Sequence, residues 1–204
     1  MRHFKVFFLF LIFTLLLTGC GGVAKEKSPS KTKITIESYN LSEKERVLIR
    51  KTGVEQIEFF KLNGTLKEED DLQFSVEVYE NGKFKEELLN SWGASETKYK
   101  DRLISFGVSD ISGEEHSIKL LSGVPSGLTS RFYSSNMTGF AFGKLIGKKV
   151  TLEKDKPIYL AGWLGTTKNS LRSVEEQDGE LPEAVEEYEL TFLYKVLWTN
   201  KDRK

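Results

Sequence analysis

The sequence predicts a mainly β fold: an antiparallel β-sandwich, or a barrel, with one N-terminal α-helix. Three observations predict it. Short runs of alternating apolar and polar residues recur from Ile34 to Trp198. Glycine- and asparagine-bearing turn signals stand between them. One segment alone carries helix punctuation. About nine short strands at regular spacing suit two packed sheets or a closed one.

The elements follow in chain order. "KITIESY", Lys33 to Tyr39, sets Ile34 and Ile36 on one face of a strand. A helix is expected from Ser42 to about Thr52, because Ser42 and Glu45 form a capping box and Gly53 stands where a helix end favours glycine. "QIEFFKL" is the next strand, closed by the turn dipeptide Asn63-Gly64. "QFSVEVYENGKFKEELL" reads as a hairpin around Asn81-Gly82, and its charged return arm marks an edge strand. "RLISFGV" and "HSIKLL" pair around Ser112-Gly113. "GFAFGKLI", "KVTLE" and "PIYLAGWLG" give further strands. In "YELTFLYKVLW", Tyr188, Leu190, Phe192, Tyr194, Val196 and Trp198 share a face that must be buried. The polar stretch from Thr166 to Ala184 breaks the rhythm. It holds few apolar residues, so it is expected to be a mobile loop that buries little.

Composition narrows the function. Lysine plus arginine equals aspartate plus glutamate, 30 against 30. A general nucleic-acid binder carries a basic excess, so nucleic acid is not an expected partner. One cysteine excludes an internal disulfide and a cysteine-rich metal site.

That cysteine follows an export signal. Arg2 and Lys5 open the chain, and Val6 to Leu17 carries no charge. The run is shorter than the roughly 20 residues a spanning helix needs. Leu17-Thr18-Gly19-Cys20 resembles the lipobox of bacterial lipoproteins. The resemblance implies cleavage between Gly19 and Cys20 and a diacylglyceryl group on the Cys20 thiol. Two acyl chains give lasting attachment where one holds only marginally. The expected organisation is a signal peptide over 1–19, a lipid-anchored linker over 20–33 and one extracytoplasmic β-rich domain over 34–204. Loss of Arg2 and Lys5 leaves 28 basic against 30 acidic residues. In the linker, Lys25, Lys27, Lys31 and Lys33 suit plain solvation, with contact to anionic lipid headgroups as the alternative.

Catalytic signals are thin. The strings of penicillin-recognising enzymes occur as Ser95 with Lys98, Ser134 with Asn136, and Lys51-Thr52-Gly53, but in the wrong order. His116, the sole histidine of the mature chain, has no GxSxG turn to accompany it. The acids Glu175, Glu176, Asp178, Glu180, Glu183, Glu186 and Glu187 crowd the late loop, and Glu68 to Asp71 the early one. Such runs are usually solvated faces, and no EF-hand spacing is present. Trp92, Tyr99 and Tyr133 are candidates for stacking on a ligand, while Trp163 and Trp198 read as core. Neither a cofactor nor a metal is implied. The sequence points to a membrane-anchored, non-enzymatic binding module of the cell envelope, taking an envelope protein or a small ligand. The alternative is a small envelope hydrolase using the carboxylates of residues 166–187.

Overall fold

The computed structural model describes residues 32–93, 96–110 and 117–200. The leader, Gly19, Cys20, the Ser112-Gly113 turn and His116 lie outside the described residues.

Strand β1 (Lys33–Tyr39) leads into helix α1 (Glu43–Arg50). The Glu45 amide donates to Ser42 Oγ at 3.3 Å, and the Ser42 amide donates to Glu45 Oε2 at 2.7 Å. Tyr39 adds its hydroxyl at 2.7 Å from Glu45 Oε1. The bonds from Ser42, then Tyr39, hold the Glu45 carboxyl down at about 2. No residue of α1 is buried, so capping defines this helix more than packing does.

Strand β2 (Gln56–Thr65) returns antiparallel beside β1. Asn63-Gly64, expected to close it as a turn, lies inside the strand. The register against the next strand of the sheet shifts between Leu62 and Gly64, and Gly64 adopts φ +137°. The Lys33 carbonyl occupies the place of a Cβ there, so the glycine serves a bulge and a close backbone approach. Strands β3 (Asp70–Glu80) and β4 (Lys83–Trp92) form the expected hairpin. Asn81 (φ 49°) and Gly82 (φ 77°) make its type I′ turn.

Strands β5 (Lys98–Asp110), β6 (Ser117–Val124) and β7 (Gly127–Ser134) meander through one sheet. Strand β7 escapes a pattern reading because its solvent face is as apolar as its inner one: Leu128 and Phe132 are exposed, while Tyr133 packs inward. Strands β8 (Gly139–Lys144), β9 (Val150–Thr151), β10 (Pro157–Thr166) and β11 (Leu190–Asn200) complete the described elements.

Two sheets result, ordered β7-β6-β5-β2-β1-β9 (sheet A) and β4-β3-β11-β10-β8 (sheet B). All ladders within them are antiparallel. Strand β7 lies against β4, β6 against β3 and β2 against β8. The sheets face each other as an open sandwich, so the barrel alternative is set aside. Strand β4 is an edge, as its charged arm predicts.

The core lies between the sheets. Phe60, Leu62, Phe74, Phe106, Phe192 and Tyr194 are among its fully buried members. A bulge between Tyr159 and Ala161 changes the parity of β10. Ile158 and Leu160 point inward before it, and Ala161 and Trp163 after it. The expected buried face of β11 is there from Leu190 to Val196. Trp198, near the strand's end, is only half-buried, and Tyr188, expected on the same face, lies before the strand, buried against the backbone of Arg172.

The outer face of β11 is buried too. Thr191, Leu193 and Lys195 are covered. Lys195 Nζ sits 2.6 Å from Glu77 Oε1 and 2.5 Å from Glu87 Oε1. Tyr79 and Tyr159 donate to Glu77 Oε2 at 2.8 and 2.9 Å, and Ser75 donates to Glu87 at 2.7 Å. Burial pushes the Lys195 ammonium down, but its bonds to Glu77 and Glu87 outweigh this and raise it. Burial likewise pushes Glu87 up, and Lys195 and Ser75 hold it below the usual carboxylate range. Burial, then donation to Glu77, raises Tyr79 to about 12.

The cover is the stretch expected to be mobile. Its backbone docks on sheet B: Tyr159 N donates to Gly179 O at 2.8 Å, and Gln177 N to Leu145 O at 2.9 Å. Tyr188 Oη accepts from Arg172 N and donates to Arg172 O, both at 2.9 Å. Val185, in a 3₁₀ turn (Glu183–Glu186), packs with Tyr79, Leu145, Tyr159 and Leu193, and Val174 joins them. A few apolar side chains suffice because the backbone bonds fix their position. Within residues 166–184 the expectation of a loop that buries little holds for the side chains, since Leu171 and Leu181 are exposed and Val174 is only half-buried. Its backbone is nonetheless docked, and the buried Val185 and Tyr188 lie just beyond it.

Two outcomes follow. Lys195→Met leaves Glu77 and Glu87 buried without their cation and destabilises the fold by about 3–5 kcal/mol, read from urea midpoints. Glu87 is depressed in the fold, so its contribution is present above the ordinary carboxylate range and lost as pH falls. Lys195 is raised, so its contribution is present below the ordinary lysine range and lost as pH rises. Wild-type stability accordingly declines below about pH 5 and above about pH 10, and Lys195→Met flattens both declines. Separately, Tyr188→Phe keeps the ring and removes both Arg172 bonds. Trypsin should cut at Arg172 slowly in the wild type and faster in the variant.

Candidate functional site

The connection 135–138 between β7 and β8 passes from sheet A to sheet B and leaves the sandwich open at that end. A cleft of about 200 Å³ forms there. Trp163, Phe140, Met137, Val108 and Ile118 supply its apolar wall, and Gln56, Ser117 and Ser135 are among its polar lining. A second depression of about 280 Å³ shares Ser135 and Met137 and extends to Tyr133, Asn136 and Glu189.

The β10 bulge builds the floor by turning Trp163 into the gap. Gly165 follows on the same side, where a Cβ would collide with the Trp163 ring and Met137. Phe140, opposite Gly165 on β8, stacks on Trp163 at 5.6 Å with planes 21° apart. Trp163 contacts Phe192 at 5.2 Å, and Tyr133 meets Phe192 edge-on at 5.0 Å. The four rings run from the mouth through the core to the second depression. Phe140 is 43 % exposed and Trp163 only 2 %. A ligand therefore meets the face of one ring backed by a rigid stack.

The far end of the series is charged. The Tyr133 hydroxyl lies 3.1 Å from Lys85 Nζ and 3.2 Å from Glu80 Oε1, and these two pair at 2.5 Å. The bond to Lys85 holds Glu80 below its ordinary value, and bonds to Glu80 and then Tyr133 raise Lys85. Burial, and the charge of Glu80, raise Tyr133. On the rim, the Thr167 hydroxyl and amide and the Thr166 hydroxyl hold Glu189 at about 2. At neutral pH these acids are anions with partners. The arrangement suits holding an apolar or aromatic group against a polar rim.

The aromatic residues singled out from the sequence separate. Tyr133 borders the second depression. Trp92 is half-buried at the end of β4, opposite Gln73. Tyr99 is corrected from the ligand surface to the core: it is 4 % exposed. Its hydroxyl, raised by burial and then by Asp71 and Glu96, lies where a Cβ on Gly93 would approach within 2.7 Å. The late acids are spread among surface pairs: Asp178 with Lys148 at 2.9 Å, Glu180 with Lys156 at 3.9 Å and Glu187 with Arg172 at 3.1 Å. Of the early acids, Asp70 pairs with Lys154 at 2.5 Å and Asp71 accepts from the Leu72 amide at 2.8 Å. No group of three or more metal-binding side chains occurs among the described residues. Phe140 and Met137 went unremarked in the sequence. The alternation in "GFAFGK" places Phe140 and Phe142 on one face, but only the strand's position at the sheet edge leaves Phe140 open.

Truncating an exposed ring on an edge strand costs little stability. Phe140→Ala should lower the urea midpoint by the equivalent of about 1 kcal/mol, whereas Phe192→Ala, with its ring at 0 % exposure, should cost about 3–5 kcal/mol.

Residues 35–197, from β1 into β11, match the YgaN domain family, and the chain belongs to that family. No curated protein and no solved structure matches it.

Proposed function

We propose that this YgaN-domain chain is a lipid-anchored lipoprotein on the outer side of the cytoplasmic membrane, a non-enzymatic module that binds an apolar or aromatic group of an envelope component. The cleft between Phe140 and the polar lining at Gln56 and Ser135 carries the binding half of this reading. It is concave, preformed and floored by a stacked aromatic pair, the usual make-up of a small-ligand site. The charged groups around it are engaged with one another, which favours holding a ligand over transforming it. The lipobox at Leu17 to Cys20 supports the anchor. The thiol of Cys20 would carry the diacylglyceryl group, and the linker would let the sandwich project from the bilayer.

Each half has its own test. Wild-type protein should incorporate a metabolically supplied fatty acid, and Cys20→Ala should not; equal label in both would end the anchor reading. For the cleft, an anilinonaphthalene sulfonate probe should brighten and shift to the blue on binding the folded protein. Phe140→Ala should weaken that binding several-fold, whereas Phe84→Ala, an exposed ring on β4, should leave it unchanged. Equal loss in both variants would show that the probe reads general surface rather than the cleft.

A further inference from the structure

The two outer sheet faces differ. The chain's own stretch from 174 to 188 covers sheet B. On sheet A, Leu103, Leu128 and Phe132 remain 44, 65 and 60 % exposed. Cross-strand partners point to one side of a sheet, so the register groups them. Phe59, Ser105, Gly123 and Leu128 make one row. Ile57, Gly107, Leu121 and Ser130 make the next. Small residues fill the centre of the first row, while in the second Leu121 stands between Gly107 and the flanking Ser130. Ser105 and Leu121 are buried, so the exposed apolar groups of this face are Leu103, Leu128 and Phe132.

Lysines ring that surface. Lys61 lies over the Tyr39 ring at 4.7 Å and Lys119 over the Phe132 ring at 5.7 Å. Lys33 and Lys98 flank Thr65 at the end where the linker joins β1. Acids also stand on or beside this face: Glu37 pairs with Lys149 at 3.0 Å, Asp101 accepts from the Asn63 amide at 3.3 Å, and Glu45, bonded to Ser42 and to the Tyr39 hydroxyl, lies near Lys61. The lysines Lys33, Lys98 and Lys119 therefore carry the basic excess. The surface thus combines exposed apolar and aromatic groups with basic ones, inside a mature chain whose overall charge is slightly acidic.

We propose that the outer face of sheet A rests on the anionic lipid surface of the membrane to which the chain is tethered. The proposal builds on the lipid-anchor reading. From Cys20 to Thr32 the chain reaches at most ~45 Å when fully extended, so the domain stays close to the bilayer. Its point of attachment, Lys33, belongs to the basic rim. Aromatic rings and lysines are the residues that suit the headgroup layer, where the ring enters the boundary and the ammonium meets phosphate. A second copy is the other occupant to consider. A two-fold contact sets the same patch against itself, which would bring Lys33, Lys61, Lys98 and Lys119 of one copy against those of its partner. Anionic lipid complements the charge that a second copy repels.

The test uses the full chain, extracted from its own membranes and returned to phosphatidylglycerol-rich vesicles that contain a nitroxide-labelled lipid. Mass spectrometry of the wild-type N-terminus reads the anchor independently: a diacylglyceryl mass on Cys20 supports it and a free thiol refutes it. A fluorophore is attached at Leu128→Cys, with Phe132→Cys as a second site on the face and Glu183→Cys as a control on the covered side of sheet B. Quenching at 128 and 132 but not at 183, reduced by salt and by Lys61→Glu with Lys119→Glu, is the expected result. Absent quenching at 128 and 132, or equal quenching at all three sites, overturns the proposal even when Cys20 carries lipid. So does concentration-dependent self-quenching at 128 in lipid-free detergent, which would give the face to a second copy.

Discussion

The fold depends on the placement of β11 in the middle of sheet B. It pairs with β3 from Leu190 opposite Glu80 to Asn200 opposite Asp70, and with β10 on its other side. Strand β11, more than a hundred residues after β3, closes the centre of the sheet, so the sheet is complete only when β11 is in place. Its inner side chains meet sheet A. Its outer ones, Thr191, Leu193 and Lys195, would face water unless something covered them. That constraint explains the docked stretch from 174 to 188, because burying Leu193 together with a lysine and its two carboxylates is tolerable only if every charge is bonded. Lys195, Glu77, Glu87 and the two tyrosine hydroxyls supply those bonds to one another. Such a network adds specificity of register as well as stability, since a slip of one residue along β3 would separate the ammonium from its carboxylates.

The same asymmetry organises the surface. Sheet B spends the late connection on its own cover, and the crossing from β7 to β8 leaves the far end of the sandwich open. There the β10 bulge decides what the opening contains. Without it Leu164, not Trp163, would point into the gap, and the aromatic series from Phe140 to Tyr133 would lose its middle ring. The outer face of sheet A leaves Leu103, Leu128 and Phe132 exposed around the buried Ser105 and Leu121, with lysines at its rim. The cleft and this face belong to different parts of the molecule.

Much was legible in the sequence because it is local. Alternation in β1, β3 and β11 identified strands and their inner faces, since period-two patterning reflects a boundary between core and water. The capping box at Ser42 and Glu45 and the type I′ turn at Asn81-Gly82 are short-range geometry, and both formed as expected. Asn63-Gly64 carries the same turn signature and became a bulge, because its fate is set by Lys33 and β5, far away in the chain. Strand β7 carries apolar residues on both faces, and alternation cannot detect a strand whose solvent side is also apolar. Tyr99 read as a stacking residue for a related reason: an isolated aromatic says nothing about which side of a sheet it will occupy.

By itself the sequence determined the class of fold, the capped helix α1 and the edge character of β4. Each rests on neighbours within a few residues or on a repeating pattern. The tertiary structure alone decided the order of strands, the open sandwich over the barrel, the docking of the polar stretch after Thr166 and the meeting of Phe140, Trp163, Phe192 and Tyr133. These are encounters between segments separated by tens to over a hundred residues. No local propensity records them, because their energy arises only when the surfaces are brought together and water is excluded from between them.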